Sequence, residues 1–136
     1  MTENIHLELV TPTRLVAKME VSEVQAPGVE GEFGVLPGHT VFITLLRPGE
    51  VRFREGEHMR HFVVGRGFAE VGPDHVTILT DSAEETSTLN AGELRQILER
   101  DEARLKTLAS DDPETALVFD RVERNRARLA AAERRL

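Results

Sequence analysis

The sequence contains no cysteine, which excludes a disulfide framework and any thiolate metal site. It has no apolar run near the roughly 18–20 residues that a membrane-spanning helix needs. Its start, MTENIHLELV, lacks the basic segment and long apolar core of a signal or transit peptide. That absence favours a cytoplasmic setting. Repeats and low-complexity segments are missing. So are the common catalytic signatures: there is no G-x-S-x-G, no phosphate-binding loop and no H-E-x-x-H, and without cysteine there is no thiol nucleophile. These absences argue against an enzyme.

What is present fits one medium domain, or a small domain with an appendage, in 136 residues. Hydrophobic residues make up 40% and charged residues 30%, ordinary for a soluble globular chain. The net charge of −7 is uneven. Residues 1–86 hold 7 Lys and Arg against 14 Asp and Glu, whereas residues 87–136 hold 10 of each, and all five histidines lie in the first part. This break predicts a domain boundary near residue 86, with domains at 1–86 and 87–136.

Before the break the apolar pattern has period two. HLELV alternates, and LVAKMEV sets Leu15, Ala17, Met19 and Val21 on one face against Val16, Lys18 and Glu20. EVRFR alternates Val51 and Phe53 with charge, then FAEV and HVTILT follow. Thr-Pro, Pro-Gly, Glu-Gly and Gly-Pro-Asp turn signals separate these runs. Many short strands with regular turns argue for a β-sandwich or flattened barrel.

After the break the period becomes 3.5. Asn90 with Glu93 predicts a capping box, each side chain serving the other's backbone N–H. A seam then runs through Leu94, Leu98, Asp101, Leu105 and Leu108. SDDP interrupts it, with Asp112 suited to the N-cap and Pro113 to the first helical position. A second seam runs through Val118, Val122, Asn125, Leu129, Ala132 and Leu136. Two helices with a short turn make an antiparallel hairpin. One polar residue in each seam, Asp101 and Asn125, fixes register at a cost in stability, so the hairpin is expected to be weakly held.

The histidines offer no clear chemistry. His58 and His61 in HMRH fall on opposite faces of a strand, and His6, His39 and His75 stand alone in the sequence; no metal or cofactor site is expected. GRGF, residues 65–68, reads as a turn or bulge, and Glu55 and Glu57 as edge charges. The second helix is richer, with six arginines between Arg121 and Arg135. Arg121, Arg124 and Arg128 recur at three and four and share a face. One reading is a solvated helix face; the other is a basic stripe for an acidic protein surface. Nucleic acid is the weaker partner, because the first domain is acidic and no aromatics interleave with the arginines.

One stretch is dense in turn-forming residues: EGEFGVLPGHTVFITLLRPGEV, residues 30–51. GEFGVLPGH, the apolar run after it and LRPGEVRF resemble the epsilon subunit of F-type ATP synthases, called delta in the plant mitochondrial enzyme. LELVTPTRLV and FVVGRGFAEVGPDHVTILTDSAE agree, so the resemblance covers about residues 5–86 by motif and the rest by architecture. It implies a ten-stranded β-sandwich followed by a two-helix hairpin. It implies a non-catalytic place in the central stalk, bound to the gamma subunit and the c-subunit ring, peripheral on the cytoplasmic face of the bacterial inner membrane.

The EGEFGVLPGH loop would then meet the ring, with Glu30, Gly31, Glu32 and His39 as contacts. Gly31, Gly34 and Gly38 would let its backbone turn, while Phe33, Val35 and Leu36 pack inward. In many bacterial members the hairpin extends into the alpha/beta catalytic head and blocks ATP hydrolysis; Arg121, Arg124, Arg126 and Arg128 are the candidates here. Some members bind ATP through an I/L-D-x-x-R-A signature. This chain reads Leu89, Asn90, Ala91, Gly92, Glu93, Leu94, so Asn, Glu and Leu replace Asp, Arg and Ala. Arg128 matches one of the later arginines of that site, but the other position falls near Ala132, so weak or no ATP binding is expected. The competing expectation is a stand-alone module that uses its arginine-rich helix to bind a protein or nucleic acid.

Overall fold

The computed structural model describes residues 4–134. The chain divides into two compact units, Met1–Glu85 and Thr86–Leu136.

The first unit contains ten strands: β1 (Ile5–Thr11), β2 (Arg14–Val21), β3 (Glu23–Gly28), β4 (Gly31–Val35), β5 (Phe42–Leu46), β6 (Gly49–Glu55), β7 (His58–Val64), β8 (Gly67–Val71), β9 (His75–Thr80) and β10 (Ala83–Glu85). They pair in the order β10-β7-β6-β3-β5-β8-β9-β1-β2, with β4 bonded to β3 beside this path. β2 touches β6 without being bonded to it, so the sheet folds over on itself into two layers. The alternating residues fill the space between them. Ile5, Leu7, Leu9, Val51, Phe53, Val76 and Ile78 are fully buried there, and the Phe53 and Phe62 rings stack at 5.6 Å. The expected ten-stranded sandwich is present.

Two local readings change. The pairing of β1 with β2 steps from Leu9–Ala17 to Val10–Leu15, which leaves Val16 as an extra residue in β2. This β-bulge reverses the alternation: Val16 packs against the core and Leu15, expected beside Ala17, is exposed. The EGEFGVLPGH stretch is not a loop either. Its centre is strand β4, paired with β3 from Val24–Val35 to Gly28–Gly31. Val35 is buried and Phe33 packs on the core, but Leu36 is 61% exposed. Gly31 and Gly38 have the positive φ of 135° and 89° that favours glycine, whereas Gly34 sits in ordinary strand backbone.

The second unit opens with a 3-10 turn, Thr86–Thr88, and holds α1 (Ala91–Thr107) and α2 (Pro113–Arg134). Asn90 caps α1, its Oδ1 accepting from the Glu93 N–H at 3.1 Å; among the described residues Glu93 makes no return bond to Asn90, so half of the capping box forms. Asp112 accepts from the Glu114 N–H at 2.9 Å with Pro113 in the first turn. Leu98, Val118 and Val122 form the hairpin core, with Leu105, Leu108 and Leu129 against it. Leu136, the end of the second seam, and Arg135 lie outside the described residues.

Candidate functional site

The residues expected to share one contact loop flank strand β4 in sequence. Glu30, Gly31 and Glu32 sit at its start, beside the β3–β4 turn. His39 lies on the segment between β4 and β5. The first end is tied to β5 and the residues after it: the Val29 N–H donates to Leu45 O at 2.9 Å, and the Arg47 N–H to Pro27 O at 3.0 Å. After β4 the chain turns back toward the start of β5, where the Gly38 N–H donates to Pro73 O at 2.7 Å. His39 turns its Nδ1 to Thr40 O at 2.7 Å and its ring to Phe42. Phe33, the neighbour of Glu32, meets the same Phe42 ring at 5.2 Å.

The two carboxylates differ. Glu30 is exposed and has no partner among the described residues. Glu32 Oε1 accepts a short hydrogen bond from Arg52 Nη2, reaching over from β6. On its other side Arg52 lies near Glu50, whose Oε1 is 3.8 Å from Nε. Glu50 also holds His61 Nδ1 at 2.9 Å.

A second surface emerges from strand pairing alone. Leu45 pairs with Phe68, Phe68 with Leu79, Leu79 with Val10, and Val10 with Leu15. These outward residues form one apolar row across five strands, β5-β8-β9-β1-β2, about 19 Å at the usual strand spacing. Leu45, Phe68 and Leu15 are 62%, 42% and 52% exposed. The neighbouring outward row begins at the exposed Ile43 and is polar from there on, through Glu70, Thr77, Glu8 and Lys18. The middle of the apolar row lines an open groove of about 400 Å³, through Val10, Phe68 and Leu79 with Pro12, and with Arg66 and Asp81 among its other walls. An apolar strip with a polar border has the anatomy of a protein-binding surface. The sequence carried one hint of it: FITLL is apolar at both parities, and a strand apolar on both faces of a sandwich calls for a cover on the outside.

The candidate arginines of α2 are mostly used within the hairpin. Arg121 Nε and Nη2 donate to the two oxygens of Asp101, both at 2.9 Å. Asp101 is buried in the α1 seam, and the Arg121 hydrogen bonds hold its carboxyl below its ordinary pKa, more than burial raises it. Arg128 Nη1 donates to the buried Asn125 Oδ1 at 2.8 Å. Arg126 lies 3.5 Å from Glu102. Arg124 is exposed and has no partner among the described residues. At the expected ATP-signature positions, Asn90 is the α1 cap and Leu94 is buried.

His6, His61 and His75 meet carboxylates at the surface, whereas His39 turns to a backbone carbonyl. His6 meets Glu20 at 3.0 Å, and His75 lies between Asp74 and Glu70 at 3.2 and 3.3 Å. The Asp74 hydrogen bond chiefly raises the His75 pKa, with Glu70 adding to it. No group of three possible metal ligands occurs among the described residues. Among the described residues no helix is long and apolar enough to cross a membrane.

Residues 4–86 match the family model described as "ATP synthase, Delta/Epsilon chain, beta-sandwich domain". The chain is 42% identical over 134 residues to the ATP synthase epsilon chain of Syntrophobacter fumaroxidans, covering 98% of this chain and 99% of that one. It is 37% identical to ATP synthase epsilon chain 2 of Syntrophotalea carbinolica, covering 98% and 97%. Among solved structures it is similar to a chain of the Euglena gracilis mitochondrial ATP synthase, OSCP/F1/c-ring, with a TM-score of 0.83 and 26% identity over 94% of this chain and 81% of that chain. A chain from the Tetrahymena thermophila mitochondrial ATP synthase central stalk and c-ring shares the fold at a TM-score of 0.64 and 12% identity, over 96% and 98% of the two chains.

Proposed function

The chain belongs to the delta and epsilon chain family of ATP synthases, and from that membership we propose that it couples the gamma subunit to the c-subunit ring and restrains ATP hydrolysis through its helices. It is a non-catalytic subunit of the central stalk. In this reading it sits peripherally on the cytoplasmic face of a bacterial inner membrane, held there by the complex that moves protons or sodium ions.

The observation that carries the coupling role is the apolar row Leu45-Phe68-Leu79-Val10-Leu15 with its polar border. Gamma is its occupant. A stalk subunit must transmit torque, which needs a broad contact rather than one flexible arm, and five strands tied into one sheet supply a stiff base. Glu30, Gly31 and Glu32 meet the ring loops from the start of β4, and His39 joins them from the segment that leads into β5.

The brake resides in α2. Arg121 and Arg126 tie α2 to α1 through Asp101 and Glu102, so extending the hairpin releases two cations for acidic surfaces on the catalytic head, whereas Arg128 bonds Asn125 within α2 itself. Arg124 is available in both states. ATP is not a strong ligand: the signature positions serve as a cap and as buried packing, and Glu93 puts a negative charge near the place a phosphate would need. Calorimetry giving micromolar ATP affinity would overturn that part.

The test is binding to purified gamma. Leu45→Glu with Phe68→Glu should weaken binding by at least about tenfold, since each buries a charge against an apolar partner, while the thermal transition of the free chain stays near wild type because both side chains are exposed. Unchanged gamma binding would remove the assignment of the row. In the same assembly, hydrolysis by the catalytic head with gamma should be inhibited by the whole chain and not by a version ending at Glu85 that still binds gamma. Failure of the whole chain to bind gamma at all would favour a stand-alone binding module.

A further inference from the structure

We propose that Arg52 is the positioning residue for Glu32, so that the ring meets a pre-formed Glu32–Arg52 pair instead of a mobile carboxylate. This inference rests on the ring contact assigned to Glu32 above.

Arg52 is well placed to act as a fixed arm. Its neighbours in β6, Val51 and Phe53, are both fully buried, so the strand that carries it is anchored in the core. β3 lies between β6 and β4: Gln25 is the register partner of Arg52 on one side and of Gly34 on the other. The Arg52 side chain thus crosses the outer face of β3 to reach Glu32, twenty residues away in sequence. Its own orientation is constrained from behind by Glu50, whose side chain is only 9% exposed and which also engages His61. Nε is buried with no hydrogen-bond acceptor among the described residues, which costs the pair stability, so the placement rests on the strand and on Glu50.

The result for Glu32 is asymmetric. Oε1 is held by Arg52, while Oε2 has no partner among the described residues and is free to accept an N–H or O–H from the ring. An unrestrained glutamate on a strand edge samples many rotamers, and a partner must remove that freedom on binding; a carboxylate already held through one oxygen by a guanidinium N–H spares part of this loss. Glu30, unpaired beside it, keeps the edge negative even though the Glu32–Arg52 pair is neutral.

The experiment measures binding of the complex of this chain with gamma to detergent-purified c-ring, together with gamma binding and the unfolding transition of each variant. Arg52→Gln and Glu32→Gln should each weaken ring binding about tenfold, the worth of one charge-assisted hydrogen bond, with gamma binding unchanged. The double variant should be no weaker than either single one, because both remove the same element. Arg52→Lys, which keeps the cation but not the reach and plane of the guanidinium, should recover part of the loss and also serves if Arg52→Gln folds poorly. Exchanging the pair, Glu32→Arg with Arg52→Glu, should restore the unfolding transition but not ring binding. Wild-type ring binding by Arg52→Gln with a loss in Glu32→Gln would overturn the proposal and leave Glu32 acting alone. Wild-type binding by the exchanged pair would also overturn it. Wild-type binding by Glu32→Gln would instead remove the ring contact itself.

Discussion

Gly67 begins β8 against a neighbour that leaves no room for a side chain. A Cβ there would lie 1.9 Å from Leu79 O and 2.7 Å from Thr80 Cα, both backbone atoms of the paired strand β9. Gly67→Ala should therefore force the β8–β9 pairing apart and cost about 1–3 kcal/mol or more, read as a lower urea midpoint with an unchanged slope. Gly34 is the opposite case. A Cβ at Gly34 would meet Gln25 Cγ at 3.9 Å, an ordinary contact, and Gly34→Ala should stabilise the chain by about 0.5 kcal/mol because alanine loses less freedom in a strand. Equal or lower stability of that variant would count against this account. The sequence marks both as glycines in turn-rich stretches and cannot rank them. The ranking depends on which strand lies opposite.

Within the hairpin, one ion pair sets the response to pH. The Asp101 carboxyl is 10% exposed and the Arg121 head 48%, so the pair lies between the buried and surface extremes, and Asp101→Asn should weaken the hairpin by about 1 kcal/mol instead of the 3–5 of a fully buried pair. Faster amide exchange across α1 and α2, with the strands unaffected, is the expected readout; exchange equal to wild type would remove Asp101 from the hairpin's support. Because the folded-state pKa lies below the ordinary 3.8, the charged form favours the closed hairpin. That contribution is complete above about pH 5, begins to fall near the unfolded value and is lost as pH drops through the folded one. Methyl signals of Val118 and Val122 should hold steady from pH 7 to 5 and shift only in strong acid. The seam spacing made Asp101 and Asn125 visible as polar positions in an apolar line. It did not reveal that an arginine twenty residues away would satisfy Asp101, because that partner lies on the other helix and depends on how the two helices meet, whereas Arg128 is only three residues from Asn125 along one helix.

At the scale of the molecule, the apolar core of the sandwich is built from residues between Ile5 and Ala83, so a version ending at Glu85 should fold by itself with a cooperative thermal transition. A gradual melt would show that the helices are needed. Among the described residues after 86 the hairpin core is Leu98, Val118 and Val122 with three partly buried leucines beside it, and Leu94, Ala131 and Ala132 are also buried, a small core against the cost of ordering two helices. As a separate peptide they should show well under full helical ellipticity at 25 °C. This contrast suits a rigid docking unit carrying a movable brake.

The sequence by itself determined the element types, since burial of one strand face or one helix stripe writes its period directly into neighbouring residues. It determined the helix starts, because Asn90 and Asp112 cap within three residues of themselves. The ordered turn motifs also pointed to the family. Tertiary structure alone decided the rest. Val10, Leu15, Leu45, Phe68 and Leu79 become one surface only through the pairing of five strands, and Glu32 finds Arg52 only across β3. A single bulge at Val16 chose whether Leu15 faced the core or the solvent. Contacts between distant segments depend on register, and a shift of one residue turns every side chain of a strand to the other face.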